Sequence, residues 1–132
     1  MKFGTINRQG RQTLVTQKGA DIVVLADLYG SASLGEAPRS LNDLVEGGEQ
    51  ELARARDALA KGSADPLDAD AIDWLPPQPR PTKVLGVAFN NMGIRKSAHV
   101  DPGVPNFFLK APSCLTGHNK PVIMEKHYGE TI

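Results

Sequence analysis

The sequence has little of what marks a specialised chain. It has one cysteine, Cys114, so no disulfide can form within it. A reducing cytoplasm is therefore the expected compartment. Neither sign of charge is in excess: 15 Lys+Arg balance 15 Asp+Glu, and no local run of like charge breaks the balance. A nucleic-acid or anionic-membrane binder would carry a basic excess, so neither partner is expected. No apolar stretch is long enough to span a bilayer. The first residues, "MKFGTINRQG", lack the apolar stretch of a signal peptide. There is no G-x-G-x-x-G or P-loop to cradle a phosphate, and no G-x-S-x-G to seat a serine nucleophile. The histidines, His99, His118 and His127, lack metal-ligand spacing. No internal repeat is visible.

What remains is a globular composition. The chain has 132 residues, 40% of them hydrophobic, enough for one domain or two small ones. Its 13 glycines and 10 prolines point to short elements and many turns rather than a helical bundle.

Three short strands open the chain: "KFGTI", "TLVT" and "DIVVLADL". The first two are joined by a turn containing Gly10, and the next two through "QKGAD". Ile22 to Leu25 run apolar without alternation, which fits a strand covered on both faces. "GSASLGEAP" reads as a loop. Ser40 then stands as an N-cap before Leu41, Leu44 and Val45, which share a helical face. "EQELARARDALAKG" predicts a second helix: Leu52, Ala55 and Leu59 fall at helical spacing, acids come early, Lys61 comes late and Gly62 caps the end. A partner-binding helix is one reading; a helix laid on the meander is the simpler one.

"SADPLDADAIDWLPPQPRP" interrupts this pattern. Asp65, Asp68, Asp70 and Asp73 lack the glycine and terminal glutamate of a calcium loop, so a solvated linker is expected, with Trp74 and Leu75 docked on a neighbour. The proline run is extended and marks a boundary. Beyond it, "KVLGVAF", "NFFLK" and "PVIME" predict strands, and residues 91–104 a polar, mobile lid. The fold class expected is α+β. A β-meander with one or two helices covers 1–75, a proline-rich linker 76–82, and 83–132 holds the first strands of a mixed, β-rich domain cut short.

Cys114, between Ser113 and Leu115, reads as a small buried hydrophobe, or else as a nucleophile that needs a base beside it. Lys110 ends the run Phe107–Phe108–Leu109, which is too apolar for a surface strand. It either snorkels to the strand's end or points into a pocket.

The stretch "PPQPRPTKVLGVAFNN", a gap, then "VPNFFLKAPSCLTGHNKPVIM" resembles the start of the catalytic domain of the fumarylacetoacetate hydrolase family. Members typically run Pro-x-Pro-x-Lys, a strand, G-x-N-Y, a lid, FLK-P-S and P-I. The matching pieces here are Pro79 to Lys83, the strand to Phe89, Asn90, and "FFLKAPS". The likeness is specific over 76–123 and loose before it.

The resemblance implies a metal-dependent enzyme acting on oxo acids or 1,3-dicarbonyl compounds, by C–C bond hydrolysis or a related decarboxylation, hydration or isomerisation. Mg²⁺ or Mn²⁺, held by three carboxylates in the complete enzyme, would serve as Lewis acid. Lys110 would steady developing negative charge. Asn90 and Ser113 would contact substrate, and a homodimer is implied. Two departures stand out. The family's lid reads N-Y-x-x-H-x-x-E, but Asn91, Ile94 and Ser97 occupy the tyrosine, histidine and glutamate positions. His99 and Asp101 are candidates for a replacement acid–base pair, or are ordinary loop residues. The metal carboxylates fall beyond "HYGETI", and Glu125 and Glu130 lack their spacing, so this chain alone is expected to hold no metal. A non-catalytic binding or structural domain derived from the family is the alternative.

Overall fold

A computed structural model of the chain describes residues 1–123. The fold is α+β. It divides into two units, Met1–Pro79 together with residues 116–123, and Arg80–Leu115. The division falls inside the proline-rich run. Residues 116–123 go with the first unit, whereas the sequence reading grouped them with 83–115.

In the first unit, strands β1 (Phe3–Arg8), β2 (Arg11–Lys18) and β3 (Asp21–Val24) form an antiparallel meander in that order. Gln9 and Gly10 both have positive φ, the conformation of a two-residue hairpin whose twist matches its strands. The chain then departs from expectation. "DIVVLADL" is a strand only as far as Val24, and Leu25–Ser31 is a helix, α1. Leu25, Leu28 and Tyr29 fall at i, i+3 and i+4, and all three are fully buried. The unbroken apolar run was the end of one element and the start of another.

Helix α2 (Leu41–Glu46) begins with a capping box: the Asp43 N–H donates to Ser40 Oγ at 3.2 Å, and the Ser40 N–H donates to Asp43 Oδ2 at 3.1 Å. Leu44 is buried, but Val45 faces solvent rather than sharing the core face. Helix α3 (Gly48–Lys61) buries Ala55 and Ala58 and has Glu49 and Glu51 in the first turn and Lys61 in the last. Tyr29 ties α1 to α3. Its hydroxyl donates to Glu51 Oε1 at 2.7 Å, Arg54 pairs with Glu51 at 2.5 Å, and Arg54 lies over the Tyr29 ring. Arg54 Nη2 also donates to the Leu34 and Glu36 carbonyls, fixing the loop before α2. Burial, then the Glu51 hydrogen bond, push the Tyr29 hydroxyl pKa up.

The sheet is covered on both faces because its strands alternate. Leu14 and Val23 pack with α1, α2 and α3, while Ile6, Val15 and Val24 pack with Leu67, Ile72 and Trp74. The latter three belong to the segment expected to be a solvated linker. It instead closes both sheet edges. Leu67 N–H donates to the Ile22 carbonyl on the β3 side, and Asn7 N–H to Asp73 and Leu75 N–H to Thr5 bond the β1 side. Four apolar residues here, Leu67, Ile72, Trp74 and Leu75, outweigh the aspartates, of which Asp65, Asp68 and Asp70 are exposed and Asp73 is held by Asn7 and Lys120. Trp74 lies over the meander as expected, against Gly4.

The second unit is a hairpin of β4 (Val84–Ala88) and β5 (Asn106–Lys110), with α4 (Met92–Ala98) between them. The register pairs Val84 with Lys110, Gly86 with Phe108 and Ala88 with Asn106. The third strand expected at Val122–Met124 is not formed where it can be seen. Val122 and Ile123 are exposed and lie outside any strand, following Pro121, which has no N–H to offer a ladder. Met124 lies outside the described residues. No helix is long and apolar enough to cross a membrane among the described residues.

Candidate functional site

The connection between β4 and β5 holds most of the candidate polar residues of the second unit. It was expected to be a polar, mobile lid, and its middle is the helix α4. Asn91 provides the start signal, its side-chain oxygen accepting from the Gly93 N–H at 2.7 Å and more loosely from Ile94. His99 ends the helix in a left-handed conformation, φ 52°, and the Val100 N–H reaches back to the Arg95 carbonyl at 3.1 Å. A tight turn follows, in which Asp101 Oδ1 accepts from the Gly103 N–H at 3.2 Å.

These turns fold α4 back toward the end of β4 and leave a cleft of about 260 Å³. Val87, Ala88, Val104 and Pro105 give it apolar walls, and Asn90, Arg95 and Asp101 its polar groups. Arg95 donates through Nε to the Phe89 carbonyl, and its Nη1 lies 3.8 Å from Asp101 Oδ1. Two residues singled out from the sequence, Asn90 and Asp101, thus share one site. The third group, Arg95, falls at none of the family's lid positions and belongs to no motif of its own. The signal was present: with Asn91 as cap, Arg95 falls at the end of the first helical turn.

The other candidates lie elsewhere. His99 is exposed, and no hydrogen bond joins it to Asp101 among the described residues; the carboxylate's partner is Arg95. Lys110 is exposed at the opposite end of the hairpin, paired with Val84, its ammonium 5.9 Å from the Phe108 ring centre. From Asn106, which flanks the cleft end, it is four residues along the strand, about 14 Å at ordinary strand rise. Phe107 and Leu109 are exposed as well, against the expectation of a buried strand, because nothing covers their face of the two-stranded sheet among the described residues. Ser113 and Cys114 are exposed in a short 3₁₀ turn, Pro112–Cys114, so Cys114 is not the buried hydrophobe expected.

No protein-family model matches the chain, and no curated protein matches it.

Mg²⁺ or Mn²⁺, implied by the resemblance, needs several converging oxygen ligands. Among the described residues no group of three His, Cys, Asp or Glu side chains is placed to hold a metal. The single acid between 83 and 123 is Asp101, which faces Arg95. These residues do not fit the ion, and no chemistry is derived through it. Glu125, His127 and Glu130 lie outside the described residues.

Proposed function

We propose that this chain is part of a fumarylacetoacetate hydrolase-like enzyme, metal-dependent in its complete form and located in the cytoplasm, that acts on oxo acids or 1,3-dicarbonyl compounds. The observation that carries the reading is the cleft at the end of β4. An oxo acid presents a carboxylate and, beside it, a carbonyl or enol oxygen. The cleft offers a guanidinium for the first and the Asn90 amide for the second, between apolar walls of a size suited to a small molecule. In this proposal Lys110 stabilises negative charge that develops during reaction.

A second reading, a non-catalytic binding domain derived from the same family, is favoured by one observation. Lys110 stands about 14 Å along the strand from the cleft end, too far for one small substrate to touch both. Turnover of a 2,4-dioxo acid by the natural gene product, supplied with Mg²⁺ or Mn²⁺, separates the two. An enzyme that uses Lys110 loses roughly 10²- to 10³-fold in kcat on Lys110→Ala, the usual cost of removing a group that stabilises developing charge, with its unfolding midpoint unchanged. Absent turnover leaves the binding reading, and turnover indifferent to the substitution leaves an enzyme that does not use Lys110.

A further inference from the structure

Arg95 is mounted in a particular way. Its Nε–H is spent on the carbonyl of Phe89, whose φ of 52° puts a bulky aromatic residue in the left-handed region that such residues rarely enter. Backbone strain of this kind persists where surrounding structure holds it, and it gathers at ligand sites. Anchored through Nε, the guanidinium holds Nη1 3.8 Å from Asp101, which lines the same cleft. The counter-charge there is loose. Asp101 Oδ1 at 3.8 Å is beyond hydrogen-bond reach of Nη1, and the Asp101 side chain is 81% exposed against 32% for Arg95. A held, two-thirds-covered cation thus lines a cavity, with an exposed carboxylate 3.8 Å away as its ion-pair partner.

We propose that Arg95 binds the carboxylate of a small organic acid in this cleft, and that Asp101 is a competing anion which the ligand displaces. The inference rests on the oxo-acid reading for the ligand's remaining groups, but not for the carboxylate itself. A planar guanidinium matches a carboxylate through paired N–H donors, which an ammonium cannot do. The ligand's carboxylate is free to take that geometry. The Asp101 carboxylate is constrained by its own turn, where it already accepts from the Gly103 N–H.

Calorimetric titration of the 132-residue chain with acetylpyruvate, a 2,4-dioxo acid, and with its methyl ester tests this. The acid binds and the ester, alike in shape but uncharged, binds at least tenfold more weakly (roughly the value of one charge-assisted hydrogen bond). Arg95→Ala weakens the acid by about 10- to 100-fold. Asp101→Asn tightens it by up to about fivefold, the value of an exposed ion pair removed from competition. Asp101→Asn decides the matter even if Arg95→Ala disturbs the turn at Phe89, since Asp101 is exposed. Equal affinity for acid and ester overturns the proposal, and so does an Asp101→Asn variant that binds the acid no more tightly. Either result would leave a Lys110-dependent turnover standing. Conversely, turnover indifferent to Lys110 would leave the Arg95–carboxylate contact intact, so the two readings fail separately.

Discussion

The two units treat apolar side chains in opposite ways. In the first, Leu25, Leu28 and Tyr29 are fully buried, and the sheet they serve is covered on both faces and bonded along both edges. In the second, Leu85, Phe107 and Leu109 are 60%, 64% and 71% exposed. The register puts Leu85, Val87, Phe107 and Leu109 on a single face of the hairpin, opposite the face bearing Phe108 and Lys110. The difference is one of layers. Three strands, three helices and a returning segment supply enough surface to enclose a core. Two strands and a seven-residue helix do not, however apolar their sequence. The first unit thus encloses a core, and the second holds the cleft that brings Asn90, Arg95 and Asp101 together.

The largest effect that sharpens this contrast is a matched pair of truncations. Leu28→Ala empties a fully enclosed site and is expected to cost about 2–5 kcal/mol in urea unfolding. Leu109→Ala removes the same atoms from an exposed site and is expected to stay within about 0.5 kcal/mol. Comparable losses for both would erase the distinction.

A smaller effect separates two glycines that are equally crowded. A Cβ on Gly62 would lie 2.4 Å from the Leu28 carbonyl oxygen, and one on Gly86 would lie 2.2 Å from Phe108 Cζ. The first obstacle is backbone at the join of α1 and α3, which cannot give way. The second is the tip of a partly exposed ring, which can swing aside. Gly62→Ala is therefore expected to destabilise by about 1–3 kcal/mol, and Gly86→Ala by clearly less. Thermal unfolding of the two variants reads the difference, and a Gly86→Ala as costly as Gly62→Ala would show that the hairpin is as tightly packed as the first unit.

The smallest effect is in pH. The Lys120 ammonium lies against Asp73 Oδ1, and Asn7 Nδ2 donates to Oδ2 at 2.9 Å. Oδ1 is shut off from solvent and lacks a well-directed hydrogen bond, so the contact with Lys120 is best described as an ion pair. Lys120, then Asn7, hold the Asp73 carboxyl below the ordinary carboxylate value. A group lowered on folding adds stability above its unfolded pKa of about 3.9 and loses it as pH falls through the folded value. The urea midpoint of the wild type should therefore drop more steeply on acidification below about pH 4 than that of Asp73→Asn. Parallel profiles would remove Asp73 from the account.

How much of this was legible in the sequence depended on how local the signal was. The hairpin at Gly10, the cap at Ser40 and the amphipathic spacing of α3 are each written within a few residues, and each was read correctly. Helix α1 was missed because Ile22 to Leu25 satisfy a buried strand and a buried helix equally well. Only the contacts of Leu28 and Tyr29 with α3 decide between them. The segment 63–79 was misread because its aspartates are conspicuous, whereas its function as a cover depends on where Leu67, Ile72 and Trp74 land in three dimensions. In the second unit the strands Val84–Ala88 and Asn106–Lys110 were legible from their apolar runs. Which face they turn, and to what, was not. Asn90 and Asp101 were chosen for different reasons, and their meeting beside Arg95 depends on the left-handed turns at Phe89 and His99, which residue type does not announce.

The proposed organic-acid site is the cleft at the end of β4, in the second unit and not on the meander or its helices. A residue-resolved ¹⁵N shift titration of the whole chain with acetylpyruvate tests it most directly. Saturable shifts are expected at Asn90, Asp101, Gly103 and Val104 and at the Arg95 Nε–Hε, with the signals of β1 to β3 and of α1 to α3 unmoved. Shifts centred on the meander and its helices, or none anywhere at millimolar acid, would contradict it.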